Sequence, residues 1–303
     1  MLKRTLGSTA LEVTVLGYGG AELRGPRSWG GRPITDAQAE RVLNAVLDAG
    51  INLVDTAPDY GLSETYIGRF ISHRREEFYL TSKCGCTIVD KGEVDDFPHY
   101  FTRENLLRNI DDSLRIMKTD HIDIWQPHTP SVGQLEEHNI VEVMQEVKET
   151  GKIRHIGVSG TLPDNETFVK WGLFESFQIP YSALERKEEN LISAVARSGA
   201  GTLIRGGVAR GEPGVGVGSE ERWETWERAG LNELRAEDES PTAFLLRFTI
   251  THPHVHTTIV ATMNPEHLAE NLQTMEMGPL APDVYEEAKR RLAEVGQAPE
   301  EPA

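Results

Sequence analysis

Asp55-Thr56-Ala57-Pro58-Asp59-Tyr60-Gly61-Leu62-Ser63-Glu64 follows directly on the apolar run Ile51-Asn52-Leu53-Val54. A buried strand that ends in a carboxylate is the natural reading. A Pro/Gly-rich turn comes next, with a tyrosine in its middle. Two further strand-like runs end in the same way. Phe78-Tyr79-Leu80-Thr81-Ser82 leads to Lys83, and Ile122-Asp123-Ile124-Trp125-Gln126-Pro127 leads to His128. Asp, Tyr, Lys and His therefore fall at or just past the carboxyl ends of successive strands. In a parallel barrel those ends converge on one mouth.

The remaining chain supports a barrel. Strand candidates are Val13–Gly19, Ile51–Asp55, Phe78–Lys83, Ile122–His128, Ile153–Ser159, Ser176–Tyr181, Thr202–Arg205 and Thr257–Ala261. Helical periodicity separates most of them. Thr35 is placed to cap a helix with Val42, Leu43, Val46 and Leu47 inward. Thr102 is placed to cap another that buries Leu106, Leu107, Ile110, Leu114 and Met117. Ile140, Val143, Met144 and Val147 mark a third, with Gly151 as its stop. Alternation of this kind predicts an α/β fold, a closed (β/α)₈ TIM barrel, rather than an open sheet. The G-x-G-x-x-G turn of a doubly wound dinucleotide fold is missing, because Leu16-Gly17-Tyr18-Gly19-Gly20-Ala21 does not match it. Lys3–Arg4 and Leu11–Val13 are expected to pair as a short N-terminal β-hairpin at the barrel bottom. Residues 1–296 read as one domain. The Pro/Glu-rich tail Gln297–Ala303 is expected to be disordered.

Composition narrows the function. The 303 residues carry 31 Lys and Arg against 48 Asp and Glu, a net charge of -17. Phosphate backbones need clustered cations, so nucleic acid is not an expected partner, nor is an anionic membrane surface. No run approaches the length of a membrane span. Met1–Gly7 has no apolar segment of the signal-peptide kind. Cytoplasmic localisation is the expectation. Oligomeric state is not readable from the residues.

The chemistry rests on proton transfer. An ammonium at Lys83 held beside the Tyr60 phenol favours phenolate, pulling its pKa down from about 10. That shift suits a general acid. Asp55 would keep Lys83 charged and aimed, and His128 could donate a hydrogen bond to a substrate oxygen. The same residues would also make a plain core ion pair, Asp55 with Lys83, beside an unrelated Tyr60 and His128. Spacing alone leaves both open. Ser159 and Gln178, at two more strand ends, could read a carboxamide. Arg205 and Arg210 flank Gly206-Gly207, a setting for pyrophosphate, because glycines let backbone N–H groups approach an anion. The helix after Thr262-Met263-Asn264 could bind phosphate at its N-terminus. No metal site is expected. His252, His254 and His256 precede a strand and belong at the barrel bottom. Cys84 and Cys86 have no co-ligands nearby in the chain.

These residues resemble the aldo-keto reductase family. The resemblance is carried by Asp55-Thr56-Ala57-Pro58-x-Tyr60-Gly61-x-Ser63-Glu64-x-x-x-Gly68. Thr81-Ser82-Lys83, Asp123 with His128, Gly157-Val158-Ser159, and Ile259-Val260-x-Thr262 with Pro265-Glu266-His267-Leu268-x-Glu270-Asn271 extend it over nearly the whole chain. It implies a barrel that binds NADP(H), with NAD(H) as the alternative, and reduces aldehydes or ketones. It implies a tetrad of Asp55, Tyr60, Lys83 and His128, in which Tyr60 protonates the carbonyl oxygen as hydride arrives from nicotinamide C4. By the same resemblance Ser159 and Gln178 hold the carboxamide. Gly19 and Gly20 line the nicotinamide end, and Glu270 and Asn271 reach the adenine. Three departures from the pattern stand out. Gly160 stands where Asn is common, and Arg205 where an aromatic ring usually stacks on the nicotinamide. Ala261 and Met263 stand where a Lys or Arg commonly binds the 2′-phosphate. His267 is the one nearby residue able to carry positive charge, and only when protonated. A nucleotide-binding regulatory barrel with little turnover is the alternative function.

Overall fold

The computed structural model describes residues 1–300. Eight parallel strands close into a barrel: β1 Leu16–Gly19, β2 Leu53–Asp55, β3 Tyr79–Cys84, β4 Ile122–Pro127, β5 Ile153–Ser159, β6 Ser176–Pro180, β7 Gly201–Arg205 and β8 Thr257–Val260. Neighbours in the ring follow chain order, with β8 pairing back onto β1. Helices α1 (Asp36–Asp48), α2 (Ser63–Phe70), α3 (Arg103–Met117), α4 (Val132–Glu137), α5 (Ile140–Glu149), α6 (Asp164–Trp171), α7 (Glu189–Arg197), α8 (Glu220–Arg228), α9 (Pro241–Thr251), α10 (Pro265–Met277) and α11 (Pro282–Glu294) surround it.

The helix starts follow the local chemistry. The Thr35 hydroxyl accepts from Gln38 N, and the Gln38 side chain reciprocates as a capping box. Thr102 accepts from Asn105 N at α3. Both helices turn the expected apolar face inward: Val42, Leu43 and Val46 on α1, Leu106, Ile110 and Met117 on α3. No helix among the described residues is long and apolar enough to cross a membrane.

The stretch read as one strand, Val13–Gly19, is two. Glu12–Thr14 pairs antiparallel with Lys3–Thr5, and β1 joins the barrel from Leu16. The break falls at Val15, whose N–H donates to Leu2 O while its carbonyl accepts from Thr258 N. One residue thus serves two sheets. Leu6, Leu11 and Val13 of the hairpin pack on Leu53, Ile124 and Leu203 inside the barrel. Six apolar side chains seal the floor, which leaves the polar strand ends at the opposite mouth.

Beyond α11 the chain does not simply trail away. Arg186 donates to Gln297 O, Asn190 to Glu300 O, and Glu300 N to Lys187 O. Gln297 and Glu300, in the tail expected to be disordered, thus bond to α7 and the segment before it. The remainder of that tail lies outside the described residues.

Asp123 ties three strands together. Buried on β4, it accepts from Leu80 N on β3, from Arg75 and from Arg154 on β5. Asp123→Ala leaves Leu80 N–H without its acceptor and takes the buried carboxylate away from Arg75 and Arg154. We expect a loss of about 3 kcal/mol in urea unfolding, with kcat of the folded fraction unchanged.

Candidate active site

The barrel register sets the mouth. Gly19 pairs with Asp55, Asp55 with Thr81, and Lys83 with Gln126. Asp55 and Lys83 thus lie on adjacent strands with their side chains turned inward. The Lys83 ammonium donates to Asp55 Oδ1 at 2.8 Å, to Oδ2 at 2.9 Å and to Thr56 O at 2.9 Å. Both residues are buried. Burial disfavours the ammonium, but Asp55 and then Tyr60 outweigh it, and Lys83 is held above its ordinary value. Tyr60 sits in the turn after β2, and Lys83 Nζ lies 5.2 Å from its ring centroid. The His128 ring meets Tyr60 edge-on at 6.0 Å. The four residues singled out from the sequence therefore do converge.

Their electrostatics differ from the expectation in one respect. Burial pushes the Tyr60 phenol up to about 12. Lys83 acts in the expected direction, lowering it, but Asp55 and Asp59 work against Lys83. The ammonium is largely committed to Asp55, so its field at the phenol is partly cancelled.

Gln178 links the tetrad to the next strands. Its Nε2 donates to Asp55 Oδ1 at 2.8 Å, and its Oε1 accepts from Ser159 Oγ at 3.0 Å. A groove of about 1150 Å³ opens beside Asp55 and Tyr60 and continues to α10. Gly19, Gln178, Arg205, Gly206, Arg210, Thr262, His267, Glu270 and Asn271 line it. Gly206 adopts φ +76°, with open space where a Cβ would stand, so its backbone is free to approach a ligand. Gly20, Ser159 and Met263 do not line the groove. At Gly20 a Cβ would meet Ser63 Oγ at 2.3 Å, so that glycine serves the packing of α2. Ser159 is buried behind Gln178. Size, mixed polarity and two arginines beside a glycine turn suit an extended dinucleotide.

Over the mouth, Trp29 stands edge-on to Tyr60 at 5.7 Å and to Phe97 at 5.2 Å. Its loop is clamped to the small hairpin of Val89–Asp90 and Asp95–Asp96 by Arg27, which donates to Asp90, Gly92 O and Asp95. Trp125 and Trp223 are buried core. Two residues escaped the sequence reading. Asp59 and His99 meet at 2.9 Å, and His128 Nδ1 lies 2.9 Å from the same Asp59 oxygen. Nothing in the spacing joins His99 to the rest, because the loop after β3 alone brings it over the mouth. Burial opposes ionisation of Asp59, yet His128 and His99 hold it well below the usual carboxylate range. For His128 burial dominates over Asp59 and lowers its value.

Glu64 lies buried beneath the site and accepts from Ser82 Oγ and Ser113 Oγ at 2.7 and 2.9 Å. Burial pushes its carboxyl from 4.5 up to about 7. A raised value means that folding favours the protonated form. The stability from this proton is complete below 4.5 and is lost as pH rises through about 7. Glu64→Gln keeps an amide in place and removes the titration. Its unfolding free energy should rise above wild type at alkaline pH by roughly 2–3 kcal/mol, and the difference between variant and wild type should shrink as pH falls through about 7.

Residues 15–292 match the sequence model of the Aldo/keto reductase family. The chain belongs to that family and shares the (β/α)₈ barrel of its solved members. It is 33% identical over 215 residues to the aldo-keto reductase YhdN of Bacillus subtilis, covering 68% of this chain and 62% of that protein. It is 31% identical to the NADH-specific methylglyoxal reductase of Escherichia coli, over 65% of this chain and 64% of that one. Both alignments thus span less than two thirds of the relative. Among solved structures, the holo form of aldo-keto reductase AKR11C1 from Bacillus halodurans superposes with a TM-score of 0.84 at 26% identity, covering 99% and 98% of the two chains.

Proposed function

We propose that this protein reduces aldehydes or ketones to alcohols with a reduced nicotinamide cofactor, and that Tyr60 delivers the proton. The observation that carries this reading is the buried Asp55–Lys83 pair beside the Tyr60 ring at the end of a dinucleotide-sized groove. When bound, the nicotinamide supplies the hydride that reaches the carbonyl carbon. Tyr60, kept protonated by burial, gives its phenolic proton to the carbonyl oxygen. Lys83 then meets the phenolate that remains, and that charge is stabilised only once the proton has left. Asp55 and Thr56 O hold the ammonium in place for that moment. His128 faces the same substrate oxygen. Gln178 orients the cofactor carboxamide, backed by Ser159. Arg205 and Arg210 pair with the pyrophosphate beside Gly206, and Asn271 and Glu270 read the adenosine end. Trp29 and Phe97 wall the substrate pocket and keep water from the carbonyl. A cytoplasmic setting goes with this reading, since both cysteines are free thiols.

Steady-state oxidation of NADPH and NADH against a panel of aldehydes and ketones tests the reading. Turnover dependent on the carbonyl supports it. Cofactor binding without turnover would leave a nucleotide-binding barrel instead.

The adenosine end argues against a strong demand for the 2′-phosphate. Glu237, Asp238 and Glu270 line the same groove as His267, so a phosphate there would meet negative charge. Wild type should bind NADH and NADPH with comparable affinity. His267→Arg should favour NADPH by about tenfold, since a guanidinium makes charge-assisted contacts to phosphate. Fluorescence titration of both cofactors against both proteins checks this. A wild-type preference for NADPH that the substitution leaves unchanged would place the phosphate elsewhere.

A further inference from the structure

We propose that Asp59, Cys86, His99 and His128 form a binding site for a zinc-class divalent cation beside Tyr60. One donor atom from each lies within 4.8 Å of all the others. The four come from separate segments: the turn after β2, the residues past β3, the loop before α3 and the end of β4. Asp59 Oδ2 stands 2.9 Å from His99 Nε2 and 2.9 Å from His128 Nδ1. Cys86 Sγ stands 3.5 Å from that same His128 nitrogen. Asp59 and Cys86 are buried. The second Asp59 oxygen, Oδ1, is buried without a hydrogen-bond partner.

The four donor atoms lie close enough to share one ion. Thr129 Oγ1 lies 2.7 Å from His128 O and 3.3 Å from His99 Nδ1. In the tautomer with its proton on Nδ1, His99 turns its Nε2 lone pair to Asp59 Oδ2, and a cation between them satisfies both. His128 meets the same oxygen through Nδ1. If its Nε2–H is the group that faces a substrate oxygen, its Nδ1 is a lone pair as well. A divalent cation engages both imidazoles, the carboxylate and the thiolate together. Two imidazoles, one thiolate and one carboxylate are a zinc-type donor set. Zinc bonds of about 2.0–2.3 Å space tetrahedral donors on the order of 3.5 Å apart, within the span these atoms cover. Thr129 on His99 Nδ1 supplies the outer partner that metal-bound imidazoles usually have. His99 is one-fifth exposed, which gives the ion a way in.

The site shares His128 with the proposed reduction, so a binding spectrum, which needs no turnover, tests it. Chelator-treated protein is titrated with Co²⁺ and then with Zn²⁺. One Co²⁺ per chain should bring a sulfur-to-cobalt charge-transfer band in the near ultraviolet, which Zn²⁺ abolishes. Cys86→Ser should lose the band. His99→Ala should weaken binding by at least about 100-fold, beyond what loss of an outer partner costs. His254→Ala, at the barrel floor, should change neither. Circular dichroism checks folding, and the more exposed His99 carries the test if Cys86→Ser does not fold. A Co²⁺ spectrum without a thiolate band, or a band undiminished in His99→Ala, would overturn the site and leave a proton-shared Asp59 cluster. Neither readout depends on carbonyl turnover, which is measured separately on the metal-free protein.

Discussion

Tyr60→Phe is expected to lower kcat for carbonyl reduction by roughly 10²–10⁴-fold, the contribution of a positioned proton donor. The ring stays, so its edge contacts with Trp29 and His128 survive. The phenolic proton alone is lost. Cofactor affinity should stay within a few-fold of wild type, because the groove residues from Arg205 to Asn271 are untouched. A variant retaining activity within a few-fold would exclude Tyr60 as the donor. The direction with pH follows from burial. With the phenol pushed up to about 12, Tyr60 keeps its proton throughout the neutral range. An alkaline fall in reduction assigned to Tyr60 should therefore lie above the ordinary phenol value of about 10.

Lys83→Met is expected to abolish measurable turnover and to destabilise the fold. Nothing then neutralises Asp55, which lies buried among Thr81, Gln178 and the vacated ammonium position. Breaking such a pair from one side costs about 3–5 kcal/mol, readable as a drop in urea midpoint. Lys83 lowers the Tyr60 value, so its removal pushes the phenol higher still. Any residual activity should have its alkaline limb moved upward. Asp55→Asn with Lys83→Met separates the two effects. The double variant removes the stranded charge and should recover much of the stability, but none of the activity. Recovery of activity would show that Lys83 acts only through packing.

How much of this was legible in the chain differs by residue. Asp55, Tyr60, Lys83 and His128 could be read because each ends an apolar run or follows one closely. In a parallel barrel the carboxyl end of a strand has one destination. The floor could be read for the same reason, since Leu6 and Leu11 flank a tight turn and have nowhere to go but inward. Balances of opposing terms could not be read. The sign of the Tyr60 shift depends on how much water the mouth excludes and on how far Asp55 occupies Lys83. Both are set by distances of a few ångströms between strands.

Sequence by itself determined the closed barrel, the residues at its mouth and the acidic surface, because periodicity and strand endings are local properties of the chain. Tertiary structure alone decided three things. It bent the chain at Val15, so that one apparent strand serves two sheets. It removed Gly20, Ser159 and Met263 from the groove wall. It brought Asp59, Cys86, His99 and His128 together from four segments up to 69 residues apart. Contacts of that kind depend on the ring of strands closing, and no spacing along the chain encodes the diameter of a ring.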